Sequence, residues 1–158
     1  MTKNSGLYVK KGKTGDKVDL FKLEKEDAKF IQENFSFAFR DNSIEFIEDW
    51  IVKTASSLLF GISYDDEKVG FISLAKKEEG VLNWGIAVKT GYERKGIAFR
   101  AFELAKQEAR NIGYKKIVSS CSRDNIASKK LHEKCGFGLI KTEINQAGKE
   151  MHRWELEI

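Results

Sequence analysis

The sequence contains no proline and only two cysteines among its 158 residues. Without proline, its turns must be made by glycine, Asn and Asp, as at Asp65-Asp66 and Lys89-Thr90-Gly91. Cys121 and Cys135 are too few for a disulfide framework, so we interpret both as buried apolar residues rather than as metal ligands or nucleophiles. We therefore expect no metal site.

Long apolar runs and a large excess of one charge are also missing. Residues 1–19 alternate Lys, Gly and polar residues, so we expect neither a signal peptide nor a membrane anchor, and we predict a cytoplasmic protein without a membrane partner. The net charge is +4, from 28 basic and 24 acidic residues spread along the chain. This balance indicates no nucleic-acid partner, but it suits a polyanionic small ligand.

The composition that is present is that of a packed globular protein. Hydrophobic residues make up 41% of the sequence and charged residues 33%, which argues against disorder. A chain of this length buries enough surface for one core. We predict a single domain over residues 1–158, as a monomer or homodimer.

Hydrophobic periodicity predicts eleven elements in the order β-α-α-β-β-β-α-β-α-β-β. This pattern indicates a mixed α/β (α+β) fold, in which a mostly antiparallel, twisted central sheet is flanked by about four helices. The predicted strands are residues 18–23, 57–64, 68–75, 81–88, 116–121, 137–144 and 151–158. The predicted helices are residues 23–35, 43–54, 96–111 and 125–134.

The most informative segment is residues 86–98, where a predicted strand leaves through a short loop into a long predicted helix. A helix start exposes unpaired N–H groups and the positive end of the helix dipole, and Gly96 and Ala98 leave room beside them. Arg94 and Lys95 add two positive charges. The segment suits a pyrophosphate, although a glycine that only tightens a turn between solvated basic residues would look the same.

A second segment, residues 125–137, follows after one predicted helix and one predicted strand. Together the two segments resemble the GNAT superfamily of N-acetyltransferases, over about residues 58–144. The family's loop reads Gln or Arg, two residues, Gly, one residue, then Gly or Ala, and Gly96 and Ala98 match it. Its second motif is matched by Asn125, Ser128, His132, Glu133, Lys134, Gly136 and Phe137.

Two positions depart from the family's pattern. Glu93 stands where the loop has Gln or Arg, and Thr90 stands where many members have proline. Because backbone donors make most of the phosphate contacts in the family, we expect Glu93 to point away from the phosphate. The N-terminal helices, which shape the acceptor pocket in the family, match no motif. The acceptor therefore stays open between a small amine or amino acid, an antibiotic and a protein amine.

The resemblance implies acetyl-CoA as the cosubstrate and direct attack by a neutral amine on its thioester in a ternary complex. It also implies that backbone groups of residues 86–88 stabilise the oxyanion, and that a β-bulge there admits the pantetheine arm. The implied cofactor-binding residues are Ile86, Ala87, Val88, Arg94, Lys95, Gly96, Ile97, Ala98, Phe99, Asn125 and Ser128.

The resemblance also gives a candidate catalytic residue. Many relatives have Tyr at the position of His132, which implies that His132 is the general acid for the leaving thiolate. The alternative is a helix-face histidine that packs against the cofactor or hydrogen-bonds to it. Asn125 could cap its helix or bond the pantetheine amide. No carboxylate is an obvious general base.

Two other classes of function remain open at this point. A non-catalytic acyl-CoA-binding module of the same fold would bind acetyl-CoA without turnover, and the departures at Glu93 and His132 are compatible with it. A small basic RNA-binding domain would need a surface cluster of aromatic and basic residues. In this sequence the aromatic residues recur mainly at core spacing, which argues against the RNA-binding class.

Overall fold

The computed structural model describes residues 16–54 and 58–158, and it contains the predicted order of strands and helices. The strands are β1 Val18–Lys22, β2 Leu58–Tyr64, β3 Glu67–Glu78, β4 Val81–Val88, β5 Lys116–Ser122, β6 Gly138–Ile144 and β7 Glu150–Glu157. The α-helices of these residues are α1 Ala28–Phe35, α2 Ile44–Thr54, α3 Ile97–Ile112 and α4 Ile126–Lys134. The predicted mixed fold is confirmed.

The seven strands form one sheet in the order β1-β2-β3-β4-β5-β7-β6. Every neighbouring pair is antiparallel except β4 and β5, which run parallel because α3 crosses between them. The sheet is therefore mostly antiparallel, as predicted.

The parallel contact between β4 and β5 is short and leaves a fork in the sheet. Only three residue pairs join the strands, the last being Asn83 with Val118, after which the rest of β4 has no partner on β5. The expectation of a bulge at residues 86–88 is wrong, because β4 pairs with β3 without interruption from Val88 to Leu82. The register shifts instead at the other end of this pair, between Lys76 and Glu78 of β3, and in the neighbouring β2–β3 pair, between Ile62 and Ser63 of β2. β5 pairs with β7 along its whole length, so beyond Val118 it is held on that side alone.

Two apolar cores lie on opposite faces of the sheet. The larger core packs α3 against the sheet through residues such as Phe102 and Ala105, which meet Ile72 and Leu82. The second core packs α1 and α2 against the other face, with Phe35 and Ile47 fully buried near Phe71. Burial of each such side chain stabilises the fold by about 1.5–3 kcal/mol.

The helix predicted over residues 23–35 differs at its ends. It begins as a 3₁₀ turn at Lys25–Asp27, where Glu24 and Asp27 form a reciprocal capping box. A second 3₁₀ turn, Ser36–Ala38, follows α1 and was not predicted. Ser57, the predicted first residue of β2, lies outside the described residues. Within the described part of the chain, no helix has the length and apolar character needed to cross a membrane.

Gly70 of β3 provides a test of how closely β3 must approach β4. A Cβ atom at Gly70 would lie 2.3 Å from the backbone oxygen of Ala87, whereas one at Gly85 would meet nothing within 4 Å. Gly70→Ala should therefore lower the melting temperature by about 3–10 °C, from about 1–3 kcal/mol of overpacking. Gly85→Ala, on the neighbouring strand, should change it by no more than about 2 °C. Equal thermal shifts in the two variants would contradict this reading.

Candidate functional site

A long groove of about 1030 Å³, here called the helix groove, runs between the start of α3 and one face of α4. Val88, the last residue of β4, lies at its inner end. One wall is the loop and first turn of α3: Tyr92, Glu93, Arg94, Gly96, Ile97, Ala98 and Phe99. The other wall is α4: Ile126, Ala127, Lys130, Leu131 and Lys134.

The loop that begins this groove has an unusual backbone. Arg94 and Gly96 both adopt left-handed conformations, with φ of 64° and 74°, and this geometry is uncommon for a residue with a side chain. The guanidinium of Arg100 donates to the carbonyl oxygen of Lys95 at 3.0 Å, so that carbonyl is held by α3 itself. Gly96 is the N-cap residue and has no side chain that could accept from the first turn of α3. The first N–H groups of α3 are therefore available to an anion.

The charges along the groove are mainly positive. Arg94, Lys130 and Lys134 line it, and the Lys134 ammonium lies 4.8 Å from the centre of the Phe99 ring. Glu93 is the one carboxylate among the described lining residues, and its Oε1 accepts from the Gly91 N–H at 2.8 Å. Hydrogen bonds from the backbone amides of Glu93 and Gly91 hold the pKa of Glu93 below its usual value. This carboxylate is thus ionised and turned back onto its own loop.

A second, smaller pocket of about 380 Å³ opens on the opposite face of the sheet, and we call it the aromatic pocket. Its aromatic lining is formed by Phe37, Phe39, Trp50, Phe71 and Trp84, with Ala38 beside them. Its base is made by β3 and β4 residues: Ser73, Ala75, Asn83, Gly85, Ile86 and Ala87. The two pockets therefore reach consecutive residues of β4, because Ala87 borders one and Val88 borders the other.

Comparison with known families shows which family the chain belongs to. The model of the acetyltransferase (GNAT) family matches residues 19–137. The chain belongs to the GNAT acetyltransferase family. No curated protein matched the sequence.

Solved structures share the GNAT fold at low sequence identity. An N-acetyltransferase from Staphylococcus aureus Mu50 is 20% identical, with a TM-score of 0.79, covering 89% of this chain and 98% of its own. A putative acetyltransferase from Salmonella typhimurium, solved with its cofactor acetyl-CoA, is 17% identical, with a TM-score of 0.76 over 89% and 93% of the two chains. A mutant spermidine N-acetyltransferase from Vibrio cholerae gives the same four values.

The structure brings together only part of the predicted cofactor site of this GNAT chain. Val88, Arg94, Gly96, Ile97, Ala98 and Phe99 line the helix groove, whereas Ile86 and Ala87 border the aromatic pocket. Lys95 is exposed and outside the groove lining. Asn125 caps α4 by accepting from the Ser128 N–H at 3.0 Å, which is one of the two roles considered for it.

His132 lies inside the protein at the fork between β4 and β5, with 3% of its surface exposed. Its Nε2 accepts from Trp84 Nε1 at 3.2 Å and lies 2.8 Å from the Ser119 hydroxyl. Trp84 and Ser119 are the residues that directly follow the last β4–β5 pair. His132 from α4 thus connects both strands where they part.

The hydrogen bonds also define the protonation of His132. Because the Trp84 indole is a donor only, Nε2 must be an acceptor, and Nδ1–H donates to the Ser128 carbonyl oxygen at 2.7 Å. Burial lowers the pKa of His132. Its ring also stacks on Trp154, with centroids 5.1 Å apart. These contacts favour a packed, neutral histidine over one that faces the groove.

Several lining residues were not among the predicted cofactor site. Tyr92, Ile126, Leu131 and Lys134 face the helix groove, and helical spacing from Lys130 to Lys134 could have indicated a shared face of α4. Burial raises the pKa of Cys135 to about 12, so this thiol is a core residue, as predicted. Among residues 16–54 and 58–158, no group of three or more His, Cys, Asp or Glu residues is placed to hold a metal ion.

The positive wall of α4 can be tested by charge removal. Lys130→Ala should weaken acetyl-CoA binding by about three- to tenfold, because it removes an exposed positive charge of the groove that a phosphate would contact. Lys129→Ala is the matched control, since Lys129 is the preceding residue of α4 and does not line the groove. Isothermal titration calorimetry measures both affinities. Equal losses in the two variants would argue against phosphate binding at this wall.

The buried state of His132 predicts a pH-dependent stability. In the unfolded chain His132 takes up a proton near its ordinary pKa of about 6.5, whereas the folded state resists protonation. The contribution of neutral His132 to the free energy of unfolding is therefore full above about pH 6.5. It is lost as the pH falls towards the lowered pKa of the folded state. His132→Gln should make the fall in melting temperature between about pH 7.5 and 5.5 shallower than in the parent chain. Parallel curves for the two proteins would contradict a neutral buried His132.

Proposed function

We propose that this GNAT chain is an N-acetyltransferase that moves the acetyl group of acetyl-CoA to a primary amine, by direct attack within a ternary complex. One observation carries the proposal: two separate pockets, on opposite faces of the sheet, reach neighbouring residues of β4 beyond its contact with β5. A reaction between two bound substrates needs this arrangement, because both must be held within contact distance at one point.

The helix groove fits acetyl-CoA in shape and charge. The unpaired amides at the start of α3, with Arg94 and Lys130, suit the pyrophosphate, and the apolar faces of Phe99 and Leu131 suit the pantetheine arm. The bound cosubstrate supplies an activated acetyl group on a thiol. The chain's own part is to hold that arm along the groove so that the thioester meets β4 at Val88.

The free edge of β4 is suited to stabilise the negative charge that develops on the thioester oxygen. Beyond Asn83 this edge has no partner on β5, and because N–H groups alternate along a strand, those of Ile86 and Val88 point to the fork while that of Ala87 points to β3. Donors that are fixed before the reaction stabilise such charge without reorganisation. We infer that this segment is the oxyanion site, which is the role that the family resemblance gives it.

The acceptor amine must lose a proton, because its ordinary pKa is about 10.4. The polar side chains described in the aromatic pocket are those of Ser73 and Asn83, and neither takes a proton near neutral pH. The ammonium form gives one proton to solvent before attack. Neutral amine plus thioester then gives amide plus thiol, so the second proton released from nitrogen balances the one that the thiolate gains. We infer that water carries both protons.

The proton-donor role of His132 stays a prediction from the resemblance. Its buried contacts to Trp84 and Ser119 support a positioning role at the fork instead. The predicted cytoplasmic location, the monomeric or homodimeric state, the single domain and the lack of nucleic-acid and membrane partners also stay predictions.

The proposal is tested by measuring free thiol released from acetyl-CoA in the presence of a panel of primary amines. We expect turnover, with kcat/KM rising about tenfold per pH unit towards the pKa of the amine used, because the free amine reacts. His132→Gln should keep the shape of that profile while its stability changes. Tight acetyl-CoA binding without thiol release from any amine would favour the non-catalytic acyl-CoA-binding module. If kcat/KM of the parent chain instead falls again at alkaline pH, and His132→Gln abolishes that fall, His132 would be the acid.

A further inference from the structure

The aromatic pocket differs from the helix groove in the chemistry of its walls. Phe39, Trp50 and Phe71 pack edge to face, with ring centroids of Phe39 and Trp50 4.9 Å apart and those of Trp50 and Phe71 5.5 Å apart. Phe37 stands at the rim with 82% of its surface exposed. Such walls offer the faces and edges of rings to a ligand, and offset or edge-on contacts between rings are favourable.

The polar part of the pocket is small and neutral. Among the described lining residues, Ser73 and Asn83 carry polar side chains, one on each of the neighbouring strands β3 and β4, and the Trp84 indole N–H is already bonded to His132. Each can hydrogen-bond an amine but neither balances a charge. The Asp41 carboxylate, in the turn before α2, accepts from the Ser43 N–H and is not part of the lining. A second charge on the ligand would be desolvated here without a partner.

From these walls we propose that the acceptor is an arylalkylamine: one primary amine on a short chain attached to a single aromatic ring, with no further charged group. This inference rests on the proposed acetyltransferase function and gives its substrate class. The ring would lie among Phe37, Phe39 and Trp50, and the amine would lie at Gly85 and Ala87, on the side of β4 that leads to the fork. The volume of about 380 Å³ is at the small end for ligand pockets, which matches a single ring.

The transfer on such a substrate forms one bond and breaks another. The amine nitrogen forms a bond with the acetyl carbon, the carbon–sulfur bond of acetyl-CoA breaks, and the proton released from nitrogen replaces the acetyl group on sulfur. No oxidant, reductant or metal is needed for this balance.

The substrate class is tested with three amines that differ in charge. Phenethylamine has one ring and one amine, phenylalanine adds a carboxylate, and spermidine adds further amines without a ring. In the thiol-release assay with the full chain, kcat/KM for phenethylamine should exceed the other two values by about tenfold or more. Turnover that favours spermidine or phenylalanine would overturn the substrate class and leave the acetyltransferase function intact. Acetyl-CoA binding without release from any amine would overturn both.

Two variants locate the binding site in the aromatic pocket. A Cβ atom at Gly85 would meet nothing within 4 Å, and the Gly85 backbone lies outside the left-handed region. Gly85→Leu should therefore fill the pocket and raise the KM of phenethylamine about tenfold or more. Phe37→Ala, at an exposed position, should raise it several-fold. Neither should change the affinity for acetyl-CoA. Val52→Ala is the control, because Val52 is an exposed apolar residue of α2 outside the pocket.

Binding can also be followed without turnover. Trp50 and Trp84 both line the pocket, so phenethylamine should change the tryptophan fluorescence in a saturable manner, and Trp50→Phe should reduce the change. Gly85→Leu should shift the titration to higher amine concentration. A signal that is the same in the parent chain and in Gly85→Leu would place the amine elsewhere and contradict the proposal.

Discussion

The separation of β4 from β5 after three residue pairs is the constraint on which the other features of this structure depend. A parallel pair that ended without support would leave buried polar groups open at the fork. His132 fills this point: its ring accepts from Trp84 on one strand, contacts Ser119 on the other, and donates to the backbone of α4. One imidazole thus links three elements where the sheet opens.

The fork makes a single sheet serve two pockets. If β4 paired with β5 along its whole length, the α3 face and the α1–α2 face would be separated by a closed ladder. Because the ladder stops at Asn83, the helix groove and the aromatic pocket approach each other at Ala87 and Val88. The close approach of Gly70 to the Ala87 carbonyl then fixes the other edge of this segment. The topology of the sheet thus brings the two pockets together, whichever side chains line them.

The sequence predicted the elements well because their periodicities are local, and it predicted the start of the groove because Gly96 and Ala98 follow a loop pattern. It could not predict what a motif residue does once the chain has folded. The Asn125 side chain caps the first turn of α4, and His132 is buried in the core. The left-handed backbone of Arg94 and the aromatic pocket were also missed. The aromatic pocket is built from segments far apart in the sequence, so no short pattern encodes it.

The cofactor side and the acceptor side of the site differ in how far the sequence can predict them, and the reason is physical. A pyrophosphate is held by backbone amides at a helix start, so a short run that allows the turn is enough to mark the site in many sequences. An acceptor is held by side chains, and here they come from the turn after α1, from α2, and from β3 and β4. The exposed members of this set, such as Phe37, can change without disturbing the sheet. Relatives about 20% identical can therefore keep one fold, while the surface that selects the amine has to be established separately for each chain.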